Sequence, residues 1–176
     1  MQEQKVLRMC VWALAALLAV SSAVFARGTY QEPEAFINES FTGHPPASKV
    51  LWITDAMQPD IVRILGHPFG QRRVRYWRTG ERSAWILDEI GKEEPITAGY
   101  VVNQGRIERV RILIYRESRG DEVRYPRFTE QFKGAGFKGT HELDRPIDSI
   151  SGATMSVEAL TRSARLALYL DSKSRE

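Results

Sequence analysis

Residues 97–115 read TAGYVVNQGRIERVRILIY, and this stretch predicts two strands joined by a tight turn. Residues 97–103 and 107–115 are rich in β-branched and aromatic side chains, and Gln104-Gly105 between them is typical of a hairpin turn. Strict alternation along the second run puts Val110, Ile112 and Ile114 on one face, opposite Ile107, Arg109, Arg111 and Leu113. One side of that strand is therefore clearly apolar, which indicates a half-buried antiparallel sheet.

A second hairpin is expected just upstream. Residues 74–77 (VRYW) and 84–87 (AWIL) have the composition of strands, and they flank the turn residues 79–82 (TGER). Before them, Thr54-Asp55 is a candidate helix cap for a short helix that runs to about Leu65 and ends at Gly66.

Two helices are expected downstream of the strands. Residues 128–132 form a short helix that ends at a pair of glycines. Residues 155–170 form a longer amphipathic helix, with its apolar positions at helical spacing: Val157, Leu160, Ala164, Ala167 and Leu168. The fold class is therefore α+β, a single domain in which helices flank a twisted antiparallel sheet.

The N-terminus has the features of an export signal. Lys5 and Arg8 precede a wholly apolar run over residues 9–20, and Val24 and Ala26 suit the −3 and −1 positions of a signal-peptidase site. Cleavage after Ala26 is favoured. An uncleaved membrane anchor is the alternative, because residues 9–26 are barely long enough to span a bilayer.

Three segments follow from this. Residues 1–26 are the signal peptide or anchor, residues 27–53 are a Pro-, Glu- and Gly-containing linker or loosely packed lead-in, and residues 54–176 are the functional domain. The only cysteine, Cys10, lies inside the apolar run, so the exported domain has no thiol for a disulfide, an iron–sulfur cluster or a haem attachment.

Charge and composition exclude several classes of function. A net charge of +3 is small beside 25 basic and 22 acidic residues, and no long basic block occurs, so no nucleic-acid partner is expected. The cluster at residues 72–75 (RRVR) fits a solvated strand face, with an anionic lipid or a redox partner as the alternative. His44, His67 and His141 lack ligand spacing, so no metal site is predicted.

Residues 148–154 (DSISGAT) carry the clearest chemical signal. They place a threonine hydroxyl directly before the last helix, after the small residues Gly152 and Ala153, which leave room for a bulky group. The N–H groups of the first helical turn, on Met155, Ser156 and Val157, are expected to be free to solvate a phosphate. The alternative is an ordinary helix start in which Thr154 is the N-cap.

The region over roughly residues 74–170 resembles the covalent FMN-binding domain family. The resemblance rests on four segments in the family's order: residues 87–92 (LDEIGK) with 95–97 (PIT), residues 115–120 (YRESRG), Phe128 with 131–134 (QFKG), and the D-x-x-[ST]-G-A-T motif. Members include periplasm-facing flavin subunits of the sodium-pumping quinone reductase and of the Rnf complex. The loop after Glu117 reads Ser118-Arg119-Gly120 here, where the larger complexes commonly have Thr-Pro-Gly-Leu-Gly.

The resemblance implies that a flavin transferase esterifies FMN to Thr154. It also implies cofactor-binding roles for the residues around this threonine and in the glutamate-bearing loop: Asp148, Ser151, Gly152, Ala153, Glu117 and Gly120. Ser151 is a turn residue or an alternative acceptor. Asp148 positions the transferase's metal or the peptide backbone, or else it forms an Asx-turn.

Other side chains are candidates for contact with the flavin ring. The aromatic residues of the matching segments stack on the ring or, more simply, pack in the core: Tyr115, Tyr125, Phe128 and Phe132. Arg116 and Arg119 stabilise a reduced flavin or are solvated surface groups.

We therefore expect a periplasmic electron-transfer protein with covalent FMN, in the periplasm or on the periplasmic face of the cytoplasmic membrane. No catalytic residue is assigned, and an electron carrier is favoured over a stand-alone enzyme. The expected partners are the flavin transferase, a membrane electron donor and a downstream acceptor. The alternatives are a flavin-dependent reductase component that acts on a small acceptor, and a cofactor-free exported binding module.

Overall fold

The computed structural model describes residues 28–139 and 141–175. The signal peptide or anchor expected over residues 1–26 lies outside this part of the chain, as does Cys10. The helices are α1 (Pro33–Ser40), α2 (Gln58–Leu65), α3 (Pro126–Thr129) and α4 (Thr154–Lys173). The strands are β1 (Lys49–Trp52), β2 (Arg73–Thr79), β3 (Arg82–Ile90), β4 (Pro95–Asn103), β5 (Arg106–Tyr115), β6 (Phe137–Lys138) and β7 (Glu142–Leu143). Short 3₁₀ turns flank α3, at Asp121–Arg124 and Glu130–Phe132.

The main sheet has the order β1-β2-β3-β4-β5, and all its neighbouring strands are antiparallel. Strands β6 and β7 form a separate two-stranded sheet. Both predicted hairpins are present, with Thr79 paired to Arg82 and Asn103 paired to Arg106. In the second turn, Gln104 and Gly105 have φ values of 52° and 73°, as a two-residue hairpin turn requires. The predicted α+β class is confirmed.

The predicted alternation along β5 is wrong, because two irregularities interrupt the pairing of β4 with β5. Ile107 lies in the main core beside Val110 and Ile112, not opposite them. Ile114 packs with Leu113 against a second cluster on the other face of the sheet. Each bulge adds one residue to β5 and so reverses the side-chain alternation beyond it.

Residues 28–53 were expected to be a linker or a loosely packed lead-in, whereas the structure contains a helix and a strand there. Helix α1 packs on the sheet through the buried side chains of Phe36 and Ile37, with Phe41 just after it. Strand β1 is one edge of the main sheet. The expectation of a half-buried sheet is therefore also wrong at its centre, where α1 covers the second face and Ile96 to Val102 of β4 are all buried.

Helix α2 begins later than the sequence indicated. It starts at Gln58 with Met57 as the N-cap, and Thr54-Asp55 belongs to the preceding turn, in which the Met57 N–H donates to the Thr54 carbonyl. Pro59 occupies the first turn, where a missing N–H is harmless, and Gly66 ends the helix at φ 81°.

Helix α4 lies across the main sheet, and its predicted apolar residues, from Val157 to Leu168, are all buried. Its C-terminal end is fixed by Asp171, which is 1% exposed and accepts hydrogen bonds from Arg78, Ser83 and Arg175. Within residues 28–139 and 141–175, no helix combines the length and apolar character that a membrane span needs. Because α4 is anchored in this way, its N-terminal end has a fixed place relative to the sheet.

Candidate functional site

Residues 148–154 form a turn that delivers Thr154 to the first position of α4. The Asp148 N–H donates to Oε1 of Gln131 at 2.7 Å, and the Ala153 N–H donates to the Ile150 carbonyl at 2.9 Å. Gly152 has a φ of 85°, a conformation that side-chain-bearing residues rarely adopt, and open space lies where a Cβ would stand. The turn is therefore held at both ends, while its glycine faces outward.

The Thr154 side chain is exposed, and its hydroxyl makes no hydrogen bond to any residue that the structure describes. Ala153, not Thr154, is the N-cap, so the N-cap alternative for this threonine is wrong. The N–H groups of Thr154, Met155 and Ser156 have no backbone partner in this part of the chain. The predicted set is wrong in one member, because the Val157 N–H donates to the Ala153 carbonyl at 3.0 Å.

The loop after β5 is bonded to the start of α4. The Tyr115 hydroxyl lies 2.5 Å from the Arg119 carbonyl, to which it donates, and 2.8 Å from Oγ of Ser156. Burial raises the pKa of Tyr115, so this phenol stays protonated. A Cβ on Gly120, at φ 86°, would stand 2.9 Å from the Ser156 hydroxyl oxygen and 3.3 Å from Cα of Ala153. Gly120 therefore permits close packing of this loop against the acceptor turn.

Glu117 organises a neighbouring turn. Its Oε1 accepts hydrogen bonds from the N–H groups of Lys92, Glu93 and Glu94, the last two at 2.7 and 3.1 Å. Partial burial acts to raise the pKa of Glu117, but these backbone donors outweigh it and the pKa is lowered. Gly91 leaves room for the carboxylate, because a Cβ there would stand 2.6 Å from the same oxygen.

Two clefts meet at Thr154. The smaller cleft, of about 310 Å³, lies between the turn at residues 92–93, the loop at residues 117–119 and the start of α4. The larger cleft, of about 790 Å³, lies between α4 and the segment from Lys138 to Ser149. Along α4 the larger cleft is lined at three- and four-residue spacing by Thr154, Val157, Glu158, Thr161, Arg162 and Arg165.

The structure brings only some of the predicted residues together. Thr154, Gly152, Ala153 and Glu117 line the smaller cleft, and Gly120 packs beside it. Asp148 and Ser151 are exposed and line neither cleft.

The aromatic candidates do not line the clefts. Tyr115, Phe128 and Phe132 are core residues, at most 2% exposed, and Tyr125 lines a separate hollow with Tyr30. Arg116 donates to the Pro95 carbonyl and to Oγ1 of Thr97, whereas Arg119 is an exposed residue of the smaller cleft.

Sequence reasoning missed the basic residues of the larger cleft. Arg162 and Arg165 lie eight and eleven positions after Thr154 and share its helix face. Continuing the three- and four-residue spacing from the acceptor threonine would have found them. The apolar residues on the opposite wall, Leu143, Pro146 and Ile147, had no such signal, because the chain fold alone places them there.

The histidines lie in different places. His67 bonds the buried Glu89 through Nε2 at 3.0 Å, and this hydrogen bond, with one to the Pro68 carbonyl, raises the pKa of His67. His141 bonds Asp60 at 3.1 Å, and His44 bonds the Thr42 carbonyl. In the part of the chain described here, no three His, Cys, Asp or Glu side chains are grouped as a metal site would require.

The fold and the site together define a flavin-binding protein. Residues 91–169 match the model of the FMN-binding domain family, and this part of the chain belongs to that family. The match begins at Gly91 beside Glu117, includes the acceptor turn and ends near the C-terminus of α4. No curated protein and no solved structure matches the chain. The exposed threonine hydroxyl, the unpaired amides and the adjoining clefts fit the phosphate and ring of FMN.

Proposed function

We propose that the protein is an exported electron carrier that holds FMN through a phosphoester bond to Thr154. The observation that carries the proposal is the state of this threonine within an FMN-binding domain. Its hydroxyl is exposed and makes no hydrogen bond in the described part of the chain, three unpaired backbone N–H groups adjoin it, and two clefts begin at it. A threonine buried in a capping interaction would not be accessible to a transferase.

Attachment requires an activated form of FMN, because direct esterification would have to expel water. We propose FAD as the donor and a flavin transferase as the enzyme. The Thr154 oxygen forms the new bond to the FMN phosphorus, the phosphoanhydride bond of FAD breaks, AMP leaves, and the hydroxyl proton passes to a base of the transferase. Gly152 and Ala153 give the transferase access because they carry little or no side chain.

The chain's own residues then hold the phosphate and shape the site. The N–H groups of Thr154, Met155 and Ser156 point from the helix start, where the helix dipole favours negative charge. Tyr115 and Gly120 fix the loop that packs against this turn. Bound FMN supplies reversible electron transfer, and we assign no bond-making catalytic residue to the protein.

Export to the periplasm is part of the proposal. It is supported by the basic residues, apolar run and small residues of the first 26 positions. A covalent bond would keep the cofactor in place in a compartment where free FMN is scarce. The proposed partners are a membrane electron donor and a downstream acceptor. Sequencing the N-terminus of protein from the exported fraction should give Arg27 first, whereas an intact Met1 would contradict cleavage.

Flavin retention under denaturing conditions tests the attachment site. Wild-type protein produced with the transferase should give a fluorescent band on a denaturing gel, and Thr154→Ala should give none. Ser151→Ala is the matched control, because it removes the other hydroxyl of the motif and should leave the fluorescence unchanged. Fluorescence retained by Thr154→Ala and lost in Ser151→Ala would overturn the assignment.

A further inference from the structure

Two clefts begin at Thr154, and a flavin tethered there can place its ring in only one of them. We propose that the larger cleft holds the ring and that Arg165 stabilises the negative charge that the ring gains on reduction. This inference rests on the proposed attachment of FMN to Thr154. It adds the location of the ring and assigns a role to a residue outside the acceptor motif.

The walls of the two clefts differ in a way that matters for an aromatic ring. The larger cleft has an apolar stripe formed by Leu143, Pro146, Ile147 and Val157. The smaller cleft is lined mainly by backbone and by charged or hydroxyl side chains, with Met155 as its only large apolar side chain. Sites for flat organic ligands are mostly apolar with a few polar groups, and this description fits the larger cleft.

Arg165 is distinguished by its lack of a partner. Its Nε is buried and has no hydrogen-bond partner within residues 28–139 and 141–175. The other arginines of the larger cleft are engaged: Nε of Arg162 donates to Glu89 at 2.9 Å, and Arg145 donates to the Lys133 and Gly134 carbonyls at 2.8 and 3.0 Å. A partly buried cation without a counter-charge favours an anion in front of it.

The remaining charged groups of the larger cleft do not neutralise Arg165. Asp144 is committed to the Gly136 N–H and to Arg106, which together hold its pKa below the usual value. Lys138, Glu142 and Glu158 are exposed residues at the cleft's surface, where water screens their charge.

The position of Arg165 suits the ring rather than the phosphate. It lies eleven residues after Thr154, which corresponds to roughly 16 Å along a helix axis. In FMN the ribityl chain separates the phosphate from the ring, so the ring lies away from the attachment point. Uptake of two electrons and one proton leaves one net negative charge on the ring, and a cation at that end of the cleft stabilises it.

Tryptophan quenching tests which cleft contains the ring. Lys138→Trp places a quencher in the larger cleft and Ser118→Trp places one in the smaller cleft, both at exposed positions that the fold tolerates. In denaturant-free protein, flavin fluorescence should fall severalfold in Lys138→Trp and stay near the wild-type level in Ser118→Trp. The opposite pattern, or equal fluorescence in both variants, would overturn the placement.

The reduction potential tests the role of Arg165. With a reduced viologen dye as the electron source, Arg165→Gln should shift the flavin potential to more negative values, and Arg165→Lys should restore most of the wild-type value. Arg119→Gln removes a cation from the smaller cleft and is the matched control, for which no comparable shift is expected. An unchanged potential in Arg165→Gln, or a larger shift in Arg119→Gln, would overturn the role.

The failure of this inference can be told apart from failure of the proposed function. Each variant is first assayed for flavin retained on the denatured chain. Retention with the wrong quenching pattern or the wrong potential rejects the ring placement alone. Absence of retained flavin from the wild-type chain rejects both proposals.

Discussion

Glu117 is the residue whose role the structure changes most. The resemblance implied a contact with the cofactor, whereas the carboxylate accepts three backbone N–H groups of the turn at residues 92–94. It still lines the smaller cleft, so it shapes that wall by holding the turn. The sequence could locate this residue because the motif is linear, but its partners lie more than twenty residues earlier and meet it only in the folded chain.

Glu117→Gln should make stability less dependent on pH. The folded-state pKa is below the ordinary value of 4.5, so the charged carboxylate contributes stability that is present above that value and lost as pH falls through the folded pKa. Thermal unfolding between about pH 3 and pH 7 should show wild type more stable than the variant near neutrality, with the difference shrinking below 4.5. A difference that grows on acidification would contradict this role.

Tyr115→Phe should loosen the start of α4. The change removes the hydroxyl that contacts both the Arg119 carbonyl and Ser156, and leaving such groups without a partner reduces the free energy of unfolding by about 1–3 kcal/mol. Denaturant unfolding measures the loss. Tyr125→Phe is the matched control, because that hydroxyl bonds only the exposed Arg124 and its loss should change stability by less than about 0.5 kcal/mol. Equal effects would argue against the Tyr115 contact.

At the scale of elements, hairpins and the long helix were predictable and α1 was not. Turn signals and apolar spacing are local, and they identified β2 to β5 and α4. Helix α1 has eight residues among prolines, glycines and polar groups, and its local signal is weak. It forms because Phe36 and Ile37 pack on the sheet, so tertiary contact decides its structure.

Phe36 and Gly99 fix α1 to β4, and a double-mutant cycle should show it. A Cβ on Gly99 would stand 2.5 Å from the Phe36 ring, so Gly99→Ala alone should reduce stability by about 1–3 kcal/mol. Phe36→Ala alone should remove about 3–5 kcal/mol, because that side chain is fully buried. In the Phe36→Ala background, Gly99→Ala should have little effect. Additive losses in denaturant unfolding would show that the two residues do not oppose each other.

At the scale of the whole molecule, residues 28–53 should be needed for folding. They provide α1 and the edge strand β1, and residues 28–31 bond to the other edge of the sheet at Leu113 and Tyr115. A chain that starts at Gly28 should unfold cooperatively. A chain that starts at Thr54 should be less soluble and lose cooperativity, because Leu113 and its apolar neighbours become exposed. Calorimetry compares the two, and equal cooperative transitions would contradict the packing role of α1.

The site was only partly predictable for the same reason. The acceptor motif is seven contiguous residues, so the sequence identified it, and residues 91–169 belong to the FMN-binding domain family. The clefts are formed by segments that lie far apart in the chain, such as residues 138–149 and α4, and no local pattern indicates that they meet. Strict alternation along β5 failed because a bulge leaves no clear mark in the sequence.

The mass of the Thr154 peptide tests the central claim most directly. Wild-type protein produced with a flavin transferase, purified and digested, should yield this peptide heavier by one esterified FMN, and fragmentation should place the added mass on Thr154. Unmodified peptide from protein made with an active transferase, or the added mass on Ser151, would contradict the claim that this threonine carries the flavin.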